Sequence, residues 1–134
     1  MRIAILMSTY NGHKYLDKQL KSIAEQTLIK NVTLYIRDDG STDDTFGIIS
    51  KWKSEIPIVL YKEKNAGPAM SFWNLLKKTE ISADYYAFCD QDDIWDNDKL
   101  EVGIKHLHDD THFYACNCLS LIHISEPTRL LSIS

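Results

Sequence analysis

The chain has 134 residues, 44% of them apolar and 25% charged, with a formal net charge of −4 at pH 7. Such a length and apolar content suit one soluble globular domain and exclude a disordered chain. Acids and bases are intermixed, which leaves no basic footprint for nucleic acid or an anionic membrane.

Arg2 to Met7 predicts a first strand, too short and too sparsely basic to be a signal peptide or a membrane span. Past the turn Asn11-Gly12, Leu16, Leu20, Ile23 and Thr27 recur at helical spacing and predict a helix from about His13 to Gln26. Val32 to Arg37 is the second strand. Asp38-Asp39-Gly40-Ser41-Thr42-Asp43-Asp44 then reads as a tight turn, with Ser41 capping the next helix and Asp44 reaching back to it, and that helix runs to about Lys53. Ile56 to Tyr61 is the third strand and Asn65-Ala66-Gly67 a turn. Pro68 opens a third helix, where its missing N–H costs nothing, and Leu75 and Leu76 continue the apolar side. Asp84 to Cys89 is the fourth strand, Leu100, Ile104 and Leu107 mark a helix face behind Asp96-Asn97-Asp98, and Phe113 to Cys116 is a fifth strand. Strands alternating with amphipathic helices predict an α/β domain around a mostly parallel sheet. The three cysteines, Cys89, Cys116 and Cys118, lie in strand-like surroundings and fit reduced thiols in the cytoplasm better than a disulfide framework.

Beyond Cys118 the alternation stops. Leu119 to Arg129 closely resembles the translated end of a transposase-type sequencing adapter, which implies that residues 119–134 are foreign and that residues 1–118 are the amino-terminal part of a longer, truncated domain. The competing reading is a native short strand, Leu119 to Ile124, with a frayed end.

The polar motifs fall at the carboxyl ends of the predicted strands, where parallel α/β sheets hold their ligands. Ser8-Thr9-Tyr10-Asn11-Gly12 follows the first strand and offers two hydroxyls and an aromatic ring for base and ribose; Asp38-Asp39-Gly40-Ser41 follows the second and offers a carboxylate for base or ribose donors. Adjacent residues of an extended backbone point opposite ways, so at most one of Asp38 and Asp39 faces a ligand while the other helps end the strand. Cys89-Asp90-Gln91-Asp92-Asp93-Ile94-Trp95 follows the fourth. If the strand continues, Asp90 and Asp92 leave it on one side, and Mg2+ or Mn2+ relieves the repulsion of such a pair while taking its remaining ligands from phosphate oxygens. Taken alone, an acidic turn of this kind is more often a solvated helix cap.

Together the ordered motifs resemble the nucleotide-binding half of the family 2 inverting glycosyltransferases of the GT-A fold, over Arg2 to about Cys116. Asp90-Gln91-Asp92-Asp93-Ile94-Trp95 with Asn65-Ala66-Gly67-Pro68-Ala69 is similar in particular to the bacterial rhamnosyltransferase-type members. The resemblance implies a Rossmann-like sheet flanked by helices and a nucleotide-sugar donor, in this subfamily dTDP-rhamnose. It implies nucleotide contacts from Ser8, Thr9, Tyr10, Asp38, Asp39 and Asp90, and Mg2+ or Mn2+ on Asp92 with Asp90. Asp93 becomes a supporting residue or a helix cap. The acceptor is a glycan or lipid-linked group of cell-wall polysaccharide biosynthesis, met in the cytoplasm or at the inner face of the membrane. The catalytic base of the resembled family is a carboxylate well downstream of Asp-x-Asp. Asp109-Asp110 come too early for it, so the fragment is expected to bind donor and to lack the base.

Trp52 and Trp73 read as core, Trp95 as a sugar platform or as packing under the acidic loop, and His13, His106, His108 and His112 lack metal-ligand spacing. Other readings of the same architecture are a non-catalytic nucleotide-sugar-binding module and a receiver-type phosphorylation domain. The receiver lacks its acceptor carboxylate at Tyr61-Lys62-Glu63, and a dinucleotide-binding domain lacks its glycine fingerprint after the first strand.

Overall fold

The computed structural model describes residues 1–90, 92–107, 113–116 and 119–123. Gln91, His108, Asp109, Asp110, His112, Cys118 and residues 124–134 of the sequence reading lie outside the described residues.

Among the described residues six strands form one sheet in the order β3-β2-β1-β4-β6-β5. They are β1 (Ile3–Thr9), β2 (Val32–Asp38), β3 (Ile58–Lys62), β4 (Tyr85–Cys89), β5 (Phe113–Cys116) and β6 (Leu119–His123). The first four are mutually parallel, with Ile3 opposite both Val32 and Tyr85. Between them run α1 (Leu16–Ala24), α2 (Thr45–Trp52) and α3 (Pro68–Leu76), and α4 (Lys99–Lys105) follows β4.

All seven residues of β1 are buried, as a strand covered on both faces must be. Its side chains alternate between two cores. Ile3, Ile5 and Met7 face Leu16, Leu20, Ile23, Ile49, Trp95 and Leu100, while Ala4 and Leu6 face Leu75, Ile81, Ala83 and Tyr86. The chain winds outward from β1 through β2 to β3 and then returns to place β4 on the other side of β1. This makes the gap between the ends of β1 and β4 a topological switch point, the usual place for a ligand.

Two local expectations are corrected. α1 begins at Leu16, not near His13; the residues before it follow the next loop instead, where the N–H groups of Asn11, Gly12 and His13 donate to Ser41 Oγ, Thr45 Oγ1 and Asp43 Oδ2. α2 has no Ser41 cap. Ser41 binds the Asp38 carboxylate, and Asp43 Oδ1 accepts from the Thr45 N–H. Phe113–Cys116 is the expected fifth strand; it pairs antiparallel with β6, which itself lies antiparallel to β4. Pro68 does open α3. No helix among the described residues is long and apolar enough to cross a membrane.

Candidate functional site

A cavity of about 510 Å3 opens at the carboxyl edge of the sheet, within the range typical of small-molecule sites. Ser8 and Tyr10 reach it from the end of β1, Asp39 from β2, Asn65, Gly67, Pro68 and Phe72 from the loop and helix after β3, and Asp90 from β4. The three strand-end motifs therefore open onto one space. Tyr10 is 42% exposed, so its ring is available to a ligand.

The floor is a buried charge network that the sequence reading missed. Arg37, 2% exposed, donates from Nη1 to Asp39 Oδ1 at 2.6 Å and to Ser71 Oγ at 2.9 Å, from Nε to Glu63 Oε1 at 2.7 Å, and from Nη2 to the Lys64 carbonyl at 3.0 Å. Burial opposes the guanidinium's charge, but Asp39 and Glu63 more than offset it and push its pKa up. Lys78 donates to Glu63 at 2.8 Å and, helped by Arg37, holds that carboxyl below its ordinary value against the effect of burial. Ser71 in turn accepts from the Ser8 hydroxyl, which ties the network to the motif after β1. The sequence does carry a signal for it: Arg37 and Asp39 are two apart on an extended backbone and so share a face, and an arginine inside a buried parallel strand demands a partner.

Asp39 is more than a cavity wall. Besides Arg37 it accepts from the Ala66 N–H at 2.7 Å, the Gly67 N–H at 3.1 Å and Asn65 Nδ2 at 3.2 Å, which uses about four acceptor positions of a carboxylate. It thereby shapes the loop after β3, with Gly67 at φ 88°, a backbone region that favours glycine, directly before the proline that starts α3.

Thr9 and Asp38 are placed otherwise than the sequence reading expects. Thr9 is buried, and its hydroxyl and that of Tyr15 crowd Gly12, where a Cβ would stand 2.8 and 2.7 Å from them. Asp38 turns away from the cavity to accept from the N–H and hydroxyl of Ser41, so one carboxylate of the pair ends the strand and the other faces the cavity. Asp90 and Asp92 do not share a side by strand alternation either. β4 ends at Cys89, and Asp92 adopts φ 62°, a left-handed conformation that Asp tolerates better than most residues. Asp92 is exposed beside Tyr15, whose hydroxyl pKa rises through burial first and through the nearby charge of Asp92 in addition. The Asp93 N–H donates to the Asp90 carbonyl at 3.3 Å and closes this turn.

The loops after β1 and β2 are stitched together. Asn11 Oδ1 accepts from the Thr42 N–H at 2.8 Å, and Asp43 accepts from the backbone of His13 and Thr45 and from the Thr45 hydroxyl. Burial would raise the Asp43 pKa, but the Thr45 hydroxyl and the N–H groups of His13 and Thr45 draw it down to about 2. A folded-state pKa below the unfolded value of 3.8 means that this stabilisation is complete above about pH 4 and is lost as pH falls toward 2. The stability difference between wild type and Asp43→Asn, measured by urea unfolding at several pH values, is expected to shrink across that window; a constant difference would refute the linkage.

Sequence reasoning also missed a polar stripe on α1 and just beyond its end. Gln19, Ser22 and Gln26, spaced three and four apart beside the apolar stripe, are all buried, and each binds the backbone of the loop between β4 and α4.

The family model described as glycosyl transferase family 2 matches residues 4–129. The dTDP-rhamnosyl transferase RfbG of Shigella flexneri is 37% identical over 119 residues, covering 85% of this chain and 39% of that protein. Residues 1–349 of S. aureus TarS, in complex with UDP-GlcNAc, superpose with a TM-score of 0.71 at 27% identity, covering 78% of this chain and 30% of that one. The mannosyltransferase PcManGT of Pyrobaculum calidifontis, in complex with GDP-Man and Mn2+, is alike in fold, with a TM-score of 0.80 at 19% identity over 96% of this chain and 46% of its own. The present chain thus spans less than half the length of each.

Proposed function

We propose, for a chain that belongs to glycosyl transferase family 2, that the cavity at the carboxyl edge of its sheet holds the nucleoside diphosphate of a sugar donor. The observation that carries this reading is the convergence of the loops after β1, β2 and β4 on one space of ligand size. Tyr10 offers a ring face and Pro68 and Phe72 apolar walls to the base, and Ser8 offers a hydroxyl to the nucleoside. Asp39, with its acceptor positions used by Arg37 and the loop after β3, acts by fixing that wall and by its charge.

The acidic loop is suited to a divalent cation. Asp90 and Asp92 are exposed hard-oxygen donors, and among the described residues no group of three His, Cys, Asp or Glu forms a closed cage. Two carboxylates with substrate phosphates completing the shell is the arrangement Mg2+ and Mn2+ accept. Bound there, the ion would offset negative charge on the departing diphosphate. The reaction is transfer of the sugar with inversion, the acceptor hydroxyl attacking the anomeric carbon opposite the diphosphate. The similarity to RfbG supports dTDP-rhamnose as donor, and the acceptor we propose is a glycan or lipid-linked group of polysaccharide assembly. Among the described residues the cavity carboxylates are Asp39 and Asp90. The first is engaged by Arg37 and the second is assigned to the cation, and the acceptor's base is placed, as the family resemblance implies, downstream of Asp-x-Asp. The free thiol of Cys89 and the intermixed acids and bases of the sequence support a cytoplasmic setting.

Calorimetric titration of UDP and dTDP with and without Mn2+ tests the assignment. Wild type is expected to bind with Mn2+ present and Asp92→Ala to lose at least about tenfold, or about 1.4 kcal/mol. Metal-independent binding, or none by folded protein, would overturn it. The likeness of residues 119–129 to an adapter carries a separate proposal, that they are foreign to the gene. Resequencing the source DNA past codon 118 decides it: a different downstream reading frame supports foreign origin, and the same codons refute it.

A further inference from the structure

We infer that Gln19 is a positioning residue for the cation-binding loop, holding Asp90 through its backbone from the far side of the sheet's edge. The inference rests on the donor-site reading above and goes beyond it.

Gln19 lies on α1, 1% exposed, and its Nε2 donates to the Asp90 carbonyl at 2.6 Å and to Cys89 Sγ at 3.2 Å. It belongs to a clasp at helical spacing. One turn on, Ser22 Oγ accepts from the Trp95 N–H at 3.1 Å; one further turn on, Gln26 donates to the Asp96 carbonyl at 2.6 Å and accepts from the Leu100 N–H at 3.1 Å. Buried side-chain amides that reach loop backbone remove the penalty of unpaired carbonyls and, at the same time, fix where the loop can go. The two ends of the clasp do different work. Ser22 and Gln26 grip the loop after the acids, where it enters α4. Gln19 alone of the three holds a residue whose carboxylate faces the cavity, at the point where β4 has ended and the chain is about to turn left-handed at Asp92. With the Asp90 carbonyl held from α1 and accepting from the Asp93 N–H, the peptide plane at Asp90 is set from two directions, and with it the line along which the carboxylate leaves the backbone. Hydrogen bonds to a ligating carboxylate commonly orient it, and losing one typically lowers metal affinity about 10–100-fold; Gln19 acts one step back, on the backbone that aims the carboxylate.

The experiment compares Gln19→Met with Gln26→Met. For each, thermal unfolding is followed by circular dichroism, and Mn2+ is titrated calorimetrically in the presence of saturating UDP or dTDP. Both substitutions are expected to lower the melting temperature, since each removes a hydrogen bond from a buried side-chain amide to the loop backbone. Only Gln19→Met is expected to weaken Mn2+ binding, by about tenfold or more. Gln19→Asn, which keeps the amide but withdraws it by one methylene, is expected to weaken Mn2+ in the same way and serves if the methionine variant does not fold. Equal loss of Mn2+ affinity in the Gln19 and Gln26 variants, or unchanged Mn2+ affinity in the Gln19 variants, would overturn the inference. Wild type showing no metal-dependent nucleotide binding would instead remove the donor-site reading, and the inference with it.

Discussion

Arg37→Met is expected to lower the unfolding free energy by about 3–5 kcal/mol, the cost of breaking a buried ion pair from one side. Methionine fills much of the same volume, so packing loss is minor and the electrostatic consequence dominates. Without the guanidinium, Asp39 keeps its bonds to Asn65, Ala66 and Gly67 but loses the cation that makes its burial tolerable. Glu63 is cushioned, since Lys78 still reaches it and its side chain is partly exposed. The penalty therefore falls on Asp39, and the effect should be largest where the cavity floor meets the loop after β3. Combining Arg37→Met with Asp39→Asn, which removes the orphaned charge, is expected to recover a substantial part of the loss, so the two changes should be strongly non-additive. Urea unfolding of wild type, both single variants and the pair supplies the cycle. An Arg37→Met variant within about 1 kcal/mol of wild type, or simple additivity, would show that the network contributes little.

Trp95→Ala should destabilise on a similar scale, by about 3–5 kcal/mol, because it removes a large aromatic side chain from a closed core. Trp95 is 4% exposed and sits in the cluster that contains Leu16, Leu20, Ile23 and Leu100. Its backbone N–H is also held by Ser22, so the indole and the clasp of α1 pin the same point of the acidic loop. Of the two readings its sequence position allows, packing beneath the acidic loop is the one realised, and a ring this enclosed offers no face to a sugar. Trp95→Phe, which retains a ring in the core, is expected to recover a large part of the lost stability. A Trp95→Ala protein as stable as wild type but impaired in sugar binding would contradict this placement.

Sequence periodicity alone located β1, β2, β4 and the start of α3, because burial on two faces imposes a continuous apolar run and proline is tolerated in a helix chiefly at its first turn. The same local patterning put the polar motifs at strand ends, and parallel strands necessarily bring those ends to one edge. It failed where a group's partner lies far along the chain. Ser41 fits a capping box by spacing, yet Asp38 and Asn11 claim it; the residues expected to open α1 are tied instead to the neighbouring loop.

The side chains of the site divide in the same way. That one of Asp38 and Asp39 faces a ligand follows from backbone alternation, but which one, and what else it holds, depends on Arg37 and on the loop after β3. That Asp90 and Asp92 form an acidic pair is written in the chain. Their presentation is not, since β4 stops at Cys89 and the Asp90 backbone is held by a glutamine 71 residues away. Residue order determined which chemical groups reach the sheet edge, because strand and helix periods act over a few neighbours. Their direction, ionisation and support were decided only by tertiary packing, because buried hydrogen bonds and charges take whichever partner the fold brings within about 3 Å.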